Sequence, residues 1–159
     1  MTEAHPVGRR HPIALPLMKA DEIAEAVEKL KKEGKIIDFG LSNFTSSQTE
    51  LIRQKTEVCY NQIHFSATNH EPMLDGSFDY MQLHNIRPMS WNPLGSVFRE
   101  DNEQTRRLKM LLAKLVEKYS YGSDTLLLAW ILQHPANVIP IAGTVNIARI
   151  QMLMKAVEL

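Results

Sequence analysis

A single cysteine, Cys59, stands among 159 residues, so no disulfide can form within the chain. That fits a reducing, cytoplasmic setting, and Cys59 is expected to be a small buried apolar residue. Charge of either sign is not in excess: Lys plus Arg number 18 and Asp plus Glu number 18, for a formal net charge of zero. Such a balance gives no reason to expect nucleic acid or an anionic membrane as partner. No run approaches the roughly 20 apolar residues of a membrane span. The opening MTEAHPVGRRHPIALP lacks the apolar core and small-residue cleavage site of a secretory signal, and residues 1–18 read as an irregular segment ahead of one domain, 19–159. Neither GxGxxG nor GxxxxGK[ST] occurs, so no standard phosphate loop supports an ordinary nucleotide-binding sheet. His64, His70, His84 and His134 show no metal-ligand spacing and read as surface or core histidines, so no metal is expected.

What is present is a regular alternation of helix and strand. Lys19–Glu33 predicts a helix, with Ile23, Val27 and Leu30 at helical spacing and Gly34 as its C′ residue. Lys35–Leu41 predicts a buried strand. Thr45 with Gln48 forms a capping box, opening a helix that runs to about Gln54. Val58–Phe65 predicts a strand, 66–77 a loop, Phe78–Asn85 a short helix, and Arg87–Trp91 a strand with Pro88 near its start. After a loop over 92–102, Glu103–Tyr119 predicts a long helix with Leu108, Leu111, Leu112, Leu115 and Val116 on its apolar face. Ser123 is suited to cap the next helix, which ends before Pro135. Val138–Ile141 predicts the last strand, and Asn146 the cap of a final helix to Leu159.

Short apolar strands separated by helices are the pattern of βαβ units and a parallel α/β sheet. Four such units make half of an eight-stranded (β/α)8 barrel, which typically needs roughly 250 residues; a shorter open sheet is the alternative. In FGLSNF, Ser42 and Asn43 end an apolar strand abruptly. Small polar side chains there either begin a loop or face a ligand.

KKEGKIIDFGLSNF, VCYNQIHFS, MSWNPLGS and VIPIAGTVNIARI, in that order at the ends of successive strands, resemble the C-terminal half of an aldo-keto reductase, of the bacterial oxidoreductase type. The resemblance covers residues 18–159 and implies the C-terminal half of a (β/α)8 TIM barrel that reduces carbonyl compounds with NADPH. It implies that Ser42, Asn43 and Gln62 bind the nicotinamide carboxamide, whose amide needs both donors and acceptors. It likewise implies that Trp91 stacks on the nicotinamide ring. Asn92, Leu94 and Ser96 match a loop that wraps the pyrophosphate, with Asn92 in place of the usual Ser. Gly143, Thr144 and Arg149 match the subsite for the 2′-phosphate, where Arg offers a charged fork. Gly143 stands where the family often has Lys, and Met152 and Leu153 where it often has acidic and amide residues that touch adenine.

Family catalysis uses a Tyr acid assisted by Lys, Asp and His, all from the first half of the barrel. No catalytic residue is therefore assigned in this chain. His11 lies near the position expected for the histidine, but its flanks do not match; Tyr60, Tyr80, Tyr119 and Tyr121 do not match the acid. The expectation is a truncated reductase, inactive alone. Exposed strand edges and apolar inner faces predict self-association, or docking with a complementing N-terminal half. The other reading is a non-catalytic half-barrel, acting as a nucleotide-binding or interaction module, or a non-functional gene fragment.

Overall fold

The computed structural model describes residues 18–159; residues 1–17, including His11, lie outside the described part. The first helix, α1 (Ala20–Lys32), ends as its sequence demands. Gly34 takes the left-handed conformation at φ 66°, and Lys35 N and Gly34 N donate to the carbonyls of Leu30 and Lys31. That pair of bonds is a Schellman motif, satisfying carbonyls the helix leaves open. Strand β1 (Gly40–Ser42) follows, then α2 (Ser46–Arg53), β2 (Tyr60–His64) and α3 (Ser77–Leu83). Next come β3 (Arg87–Trp91), α4 (Glu103–Tyr119), α5 (Ser123–Leu132), β4 (Ile139–Pro140) and α6 (Ile147–Met154). The four strands form one sheet in the order β1-β2-β3-β4, with every pairing parallel. Spatial order equal to chain order, with helices between parallel strands, is the arrangement of consecutive (β/α) units in a barrel wall.

The two faces of the sheet differ. Asn61, Ile63 and Phe65 of the second unit, and Pro88 and Ser90 of the third, are buried. Phe65 meets Phe78 of α3 edge-on at 4.8 Å and stacks on Trp130 of α5 at 5.3 Å. Ile52, Met81 and Ile131 complete this core between sheet and helices. On the opposite face Tyr60, Gln62, His64, Met89 and Trp91 are only half-buried. That face was expected to be apolar; it carries polar side chains beside the apolar ones, because alternate strand residues share a face and Gln62 and His64 fall on this one.

Several boundaries differ from expectation. The first strand begins at Gly40, five residues later than Lys35, and Ile37 is 90% exposed. Its partner β2 begins at Tyr60, in register with Gly40, so among the described residues the bond from Cys59 N to the Phe39 carbonyl is what ties the earlier stretch to β2. β2 loses Val58, Cys59 and Phe65, and β4 shrinks to two residues, Ile139–Pro140, although Ile141 N still donates to the Ser90 carbonyl at 2.9 Å. The 66–77 loop contains a 3₁₀ turn, Glu71–Met73, and the last helix becomes 3₁₀ over Lys155–Glu158. Gly122, not Ser123, occupies the N-cap of α5, where Asp124 Oδ1 accepts from Thr125 N instead. Leu111 of α4 is 52% exposed, so that helix buries a narrower stripe than expected, centred on Leu112. Cys59 is half-buried rather than buried, with its Sγ 3.7 Å from Asp38 Oδ1. The Thr45–Gln48 capping box, the Asn146 cap and the limits of β3 and α4 agree with expectation.

Candidate functional site at the C-terminal ends of the strands

Ser42 ends β1 in register with Gln62 of β2 and, through Gln62, with Met89 of β3. The chain turns at Asn43, whose φ of 58° lies in the left-handed region that asparagine tolerates better than most residues. Asn43 N donates to the Gln62 carbonyl at 2.8 Å, which holds the turn against β2. From this position Asn43 reaches across the mouth of the sheet: Trp91 Nε1 donates to Asn43 Oδ1 at 2.8 Å. Asn43 Nδ2 then lies 3.5 Å from Ser42 Oγ. Ser42 and Asn43 therefore form one polar pair, held to the Gln62 carbonyl and tied to Trp91 from two strands away, with the Gln62 side chain on the same face of the sheet.

Trp91 carries a second ring. His64, its register partner on β2, stacks on it at 4.2 Å with planes 14° apart. Asn92 Nδ2 is 3.1 Å from His64 Nε2, and Arg99 Nη2 donates to Asn92 Oδ1 at 2.9 Å. Burial pushes the His64 pKa below its ordinary value of 6.5, and the Arg99 charge pushes it the same way, so the ring is held neutral. Sequence reasoning took His64 for a core or surface histidine. The one signal that could have found it is its spacing: two residues after Gln62, it must share the Gln62 face of the strand.

Beyond Trp91 the surface falls into a cleft of about 340 Å³. Trp91, Asn92, Leu94, Gly143, Thr144 and Arg149 line it, with Leu128, Ile141 and Leu153 among its apolar walls. Its volume lies in the range of small-molecule sites. Arg149 is held twice: its N–H donates to the Asn146 cap at 3.0 Å, and its Nε lies 3.5 Å from Asp124 Oδ2. Ser42, Asn43 and Gln62 do not line the cleft; they reach it through Trp91. Ser96 also stands outside it, with its N–H donating to Thr68 Oγ1 at 3.0 Å. Met152 is 44% exposed, whereas Leu153 is buried and walls the cleft. Among the described residues no group of three or more His, Cys, Asp or Glu side chains could hold a metal ion. Chemically, the site offers amide and hydroxyl groups that suit a primary amide, an aromatic face for a flat ring, and a guanidinium at the far end for an anion.

The sequence model of the aldo/keto reductase family matches residues 1–159. This chain is an aldo/keto reductase family member. Oxidoreductase YdhF of Escherichia coli is 34% identical over 144 residues, covering 89% of this chain and 48% of that protein. Oxidoreductase YcsN of Bacillus subtilis is 36% identical over 148 residues, covering 90% of this chain and 49% of that protein. The aldo/keto reductase chain thus spans about half the length of the curated relatives it matches. The thermostable aldo-keto reductase Tm1743 superposes with a TM-score of 0.79 at 21% identity, over 91% of this chain and 51% of that one. A Klebsiella pneumoniae aldo/keto reductase, solved with NADP and acetate, gives 0.74 at 20% identity, over 89% of this chain and 50% of that one. At these identities the likeness shows the fold: the four strands here are half of a (β/α)8 barrel wall.

Proposed function

We propose that this aldo/keto reductase chain supplies the NADPH-binding wall of a carbonyl reductase. The observation that carries the reading is the Trp91 Nε1 to Asn43 Oδ1 bond, which joins the polar group on β1 and β2 to the cleft beyond β3. Ser42, Asn43 and Gln62 fit a carboxamide because hydroxyl and amide groups match both its N–H donors and its carbonyl acceptor. Trp91 gives the ring a platform, and Asn92, Leu94 and Ser96 belong to the loop that follows it. Thr144 and Arg149 suit a phosphate at the start of α6. When bound, the cofactor supplies the hydride for a small carbonyl substrate.

The proton for the carbonyl oxygen must come from elsewhere. Among the described tyrosines, burial and a bond to Glu50 push the Tyr80 pKa up to about 12, opposite to what a catalytic acid needs. Tyr119 accepts from Lys118 Nζ at 2.9 Å, but at the exposed end of α4. The acid, with its Lys, Asp and His, belongs to a complementary half-barrel, supplied by another segment or another chain, and this chain alone is inactive. The open face and edges of the sheet pair with that half or with a second copy. Fluorescence titration with NADPH, followed by NADPH oxidation with a generic aldehyde, tests the reading. Binding without turnover is expected; an absence of NADPH binding refutes the cofactor wall, and turnover by the pure chain refutes the need for a complement. Sedimentation should give a dimer or larger species, and a monomer that melts cooperatively would count against the pairing of open faces.

A further inference from the structure

We propose that Arg99 and His64 are positioning residues: Arg99 fixes the Asn92 amide and the His64 tautomer, the His64 ring holds Trp91 where its indole N–H orients the Asn43 amide, and protonation of His64 releases Trp91. This rests on the cofactor reading above. Two groups in this network, the Arg99 guanidinium and the Trp91 indole, can only donate. A guanidinium has no acceptor, so the Asn92 atom facing Arg99 Nη2 at 2.9 Å must be the amide oxygen. Arg99 is itself anchored, since Nη2 also donates to the Gly95 carbonyl at 2.9 Å. The Asn92 NH₂ is thereby turned toward His64 Nε2 at 3.1 Å, which must accept. His64 is then neutral and carries its proton on Nδ1. Its ring lies flat on Trp91. At the other end an indole N–H also only donates, so Asn43 must present Oδ1 to Trp91 and turn its NH₂ toward Ser42 and the open mouth. One chain of contacts thus runs from the loop after β3, across β2, to the end of β1. Its last link, the Trp91 indole, decides which atoms of the Asn43 amide face a ligand, and the His64 stack holds that indole in place.

Protonation breaks this chain at a definite point. A proton on His64 Nε2 would face the Asn92 NH₂, donor against donor. The Asn92 amide cannot flip to help, because Arg99 already holds its oxygen. Arg99 is the charged group facing His64; Asn92 and Trp91, its other neighbours, are uncharged. Among the described residues a charged His64 therefore meets a cation and no anion, and the stack on Trp91 loses its anchor.

The test uses the ¹⁵N-labelled 159-residue chain, with the Trp91 indole N–H resonance assigned by Trp91→Phe. The resonance is expected to titrate with a midpoint below 6.5 in the wild type and to stay flat in His64→Phe and His64→Gln. Arg99→Met is expected to raise the midpoint. The NADPH dissociation constant at pH near 7.5 should weaken about two- to tenfold in His64→Phe, the worth of one neutral hydrogen bond. His64→Gln keeps an acceptor for Asn92 but no ring to stack on Trp91, so its affinity should also be weakened, and it should stay constant on acidification, where the wild type loses affinity. A resonance that stays still from about pH 5 to about pH 8 in the wild type, or that moves equally in His64→Phe, overturns the relay. Equal NADPH binding by wild type and both variants overturns the positioning role alone. No NADPH binding by the wild type overturns the cofactor reading and the positioning role with it, whatever the indole does.

Discussion

Replacing Gly95 by Ala should damage both the stability of the fold and the site. Gly95 sits at φ 59°, in the left-handed region, where a Cβ costs roughly 1–2 kcal/mol. The added Cβ would lie 2.1 Å from Thr68 Oγ1 and 2.7 Å from Ser66 Oγ, so something must move. Ser66 is fully buried and cannot retreat. Thr68 can rotate, but its hydroxyl accepts the Ser96 N–H at 3.0 Å, and losing that bond costs about 1 kcal/mol. The sum is about 2–3 kcal/mol before any shift of the backbone. With a urea slope of about 2 kcal/mol per molar, the unfolding midpoint should fall by about 1–1.5 M. The consequence reaches the site because Gly95 N donates to the Asn92 carbonyl at 2.8 Å and the Gly95 carbonyl anchors Arg99. Gly143→Ala is the control: a Cβ there meets nothing within 4 Å and needs no unusual backbone angle, so its unfolding free energy should stay within about 0.5 kcal/mol of wild type. A Gly95→Ala midpoint equal to wild type, or an equal fall in Gly143→Ala, would refute the reasoning.

Ile52 is 0% exposed at the centre of the main core, so Ile52→Ala should cost about 2–5 kcal/mol in urea or thermal unfolding. Burial depresses the pKa values of both His64 and His134 below 6.5. The unfolded chain then takes up protons first, so stability should fall as pH drops below 6.5 through the folded values, and His134→Gln should lessen the fall measured by melting temperature. Tyr80 behaves in the opposite range. Burial, with the 2.6 Å bond to Glu50, raises its pKa from 10.0 to about 12, so stability should be lost as pH rises from 10 toward 12, and one phenolate absorbance change near 12 should vanish in Tyr80→Phe. A Tyr80 that ionises with the exposed tyrosines would show that this packing is not kept in solution.

Local chemistry was readable residue by residue. Thr45 with Gln48 and Asn146 could be assigned as caps from side-chain reach alone, and Gly34 as a helix stop from its freedom at positive φ. The alternation of short apolar strands with helices sufficed for a parallel α/β sheet, because a parallel pair needs a crossover long enough to hold a helix. Strand length was less readable. Ile36 and Ile37 look like strand, but a strand exists only where a neighbour supplies its ladder, and β2 starts opposite Gly40. Gly122 replaced Ser123 as the cap of α5 because which residue lies half outside a helix depends on the path of the incoming loop.

By itself the sequence determined which residues could cap, turn or pack, and that four βα units follow one another, since these depend on neighbours a few positions apart. Tertiary structure alone decided that Asn43, His64, Trp91, Asn92 and Arg99 share one set of contacts, although they come from two strands and the loops after β1 and β3. It also decided the direction of every hydrogen bond among them. An amide or an imidazole can point either way in a sequence; only a donor-only neighbour in space, the Trp91 indole or the Arg99 guanidinium, makes the choice.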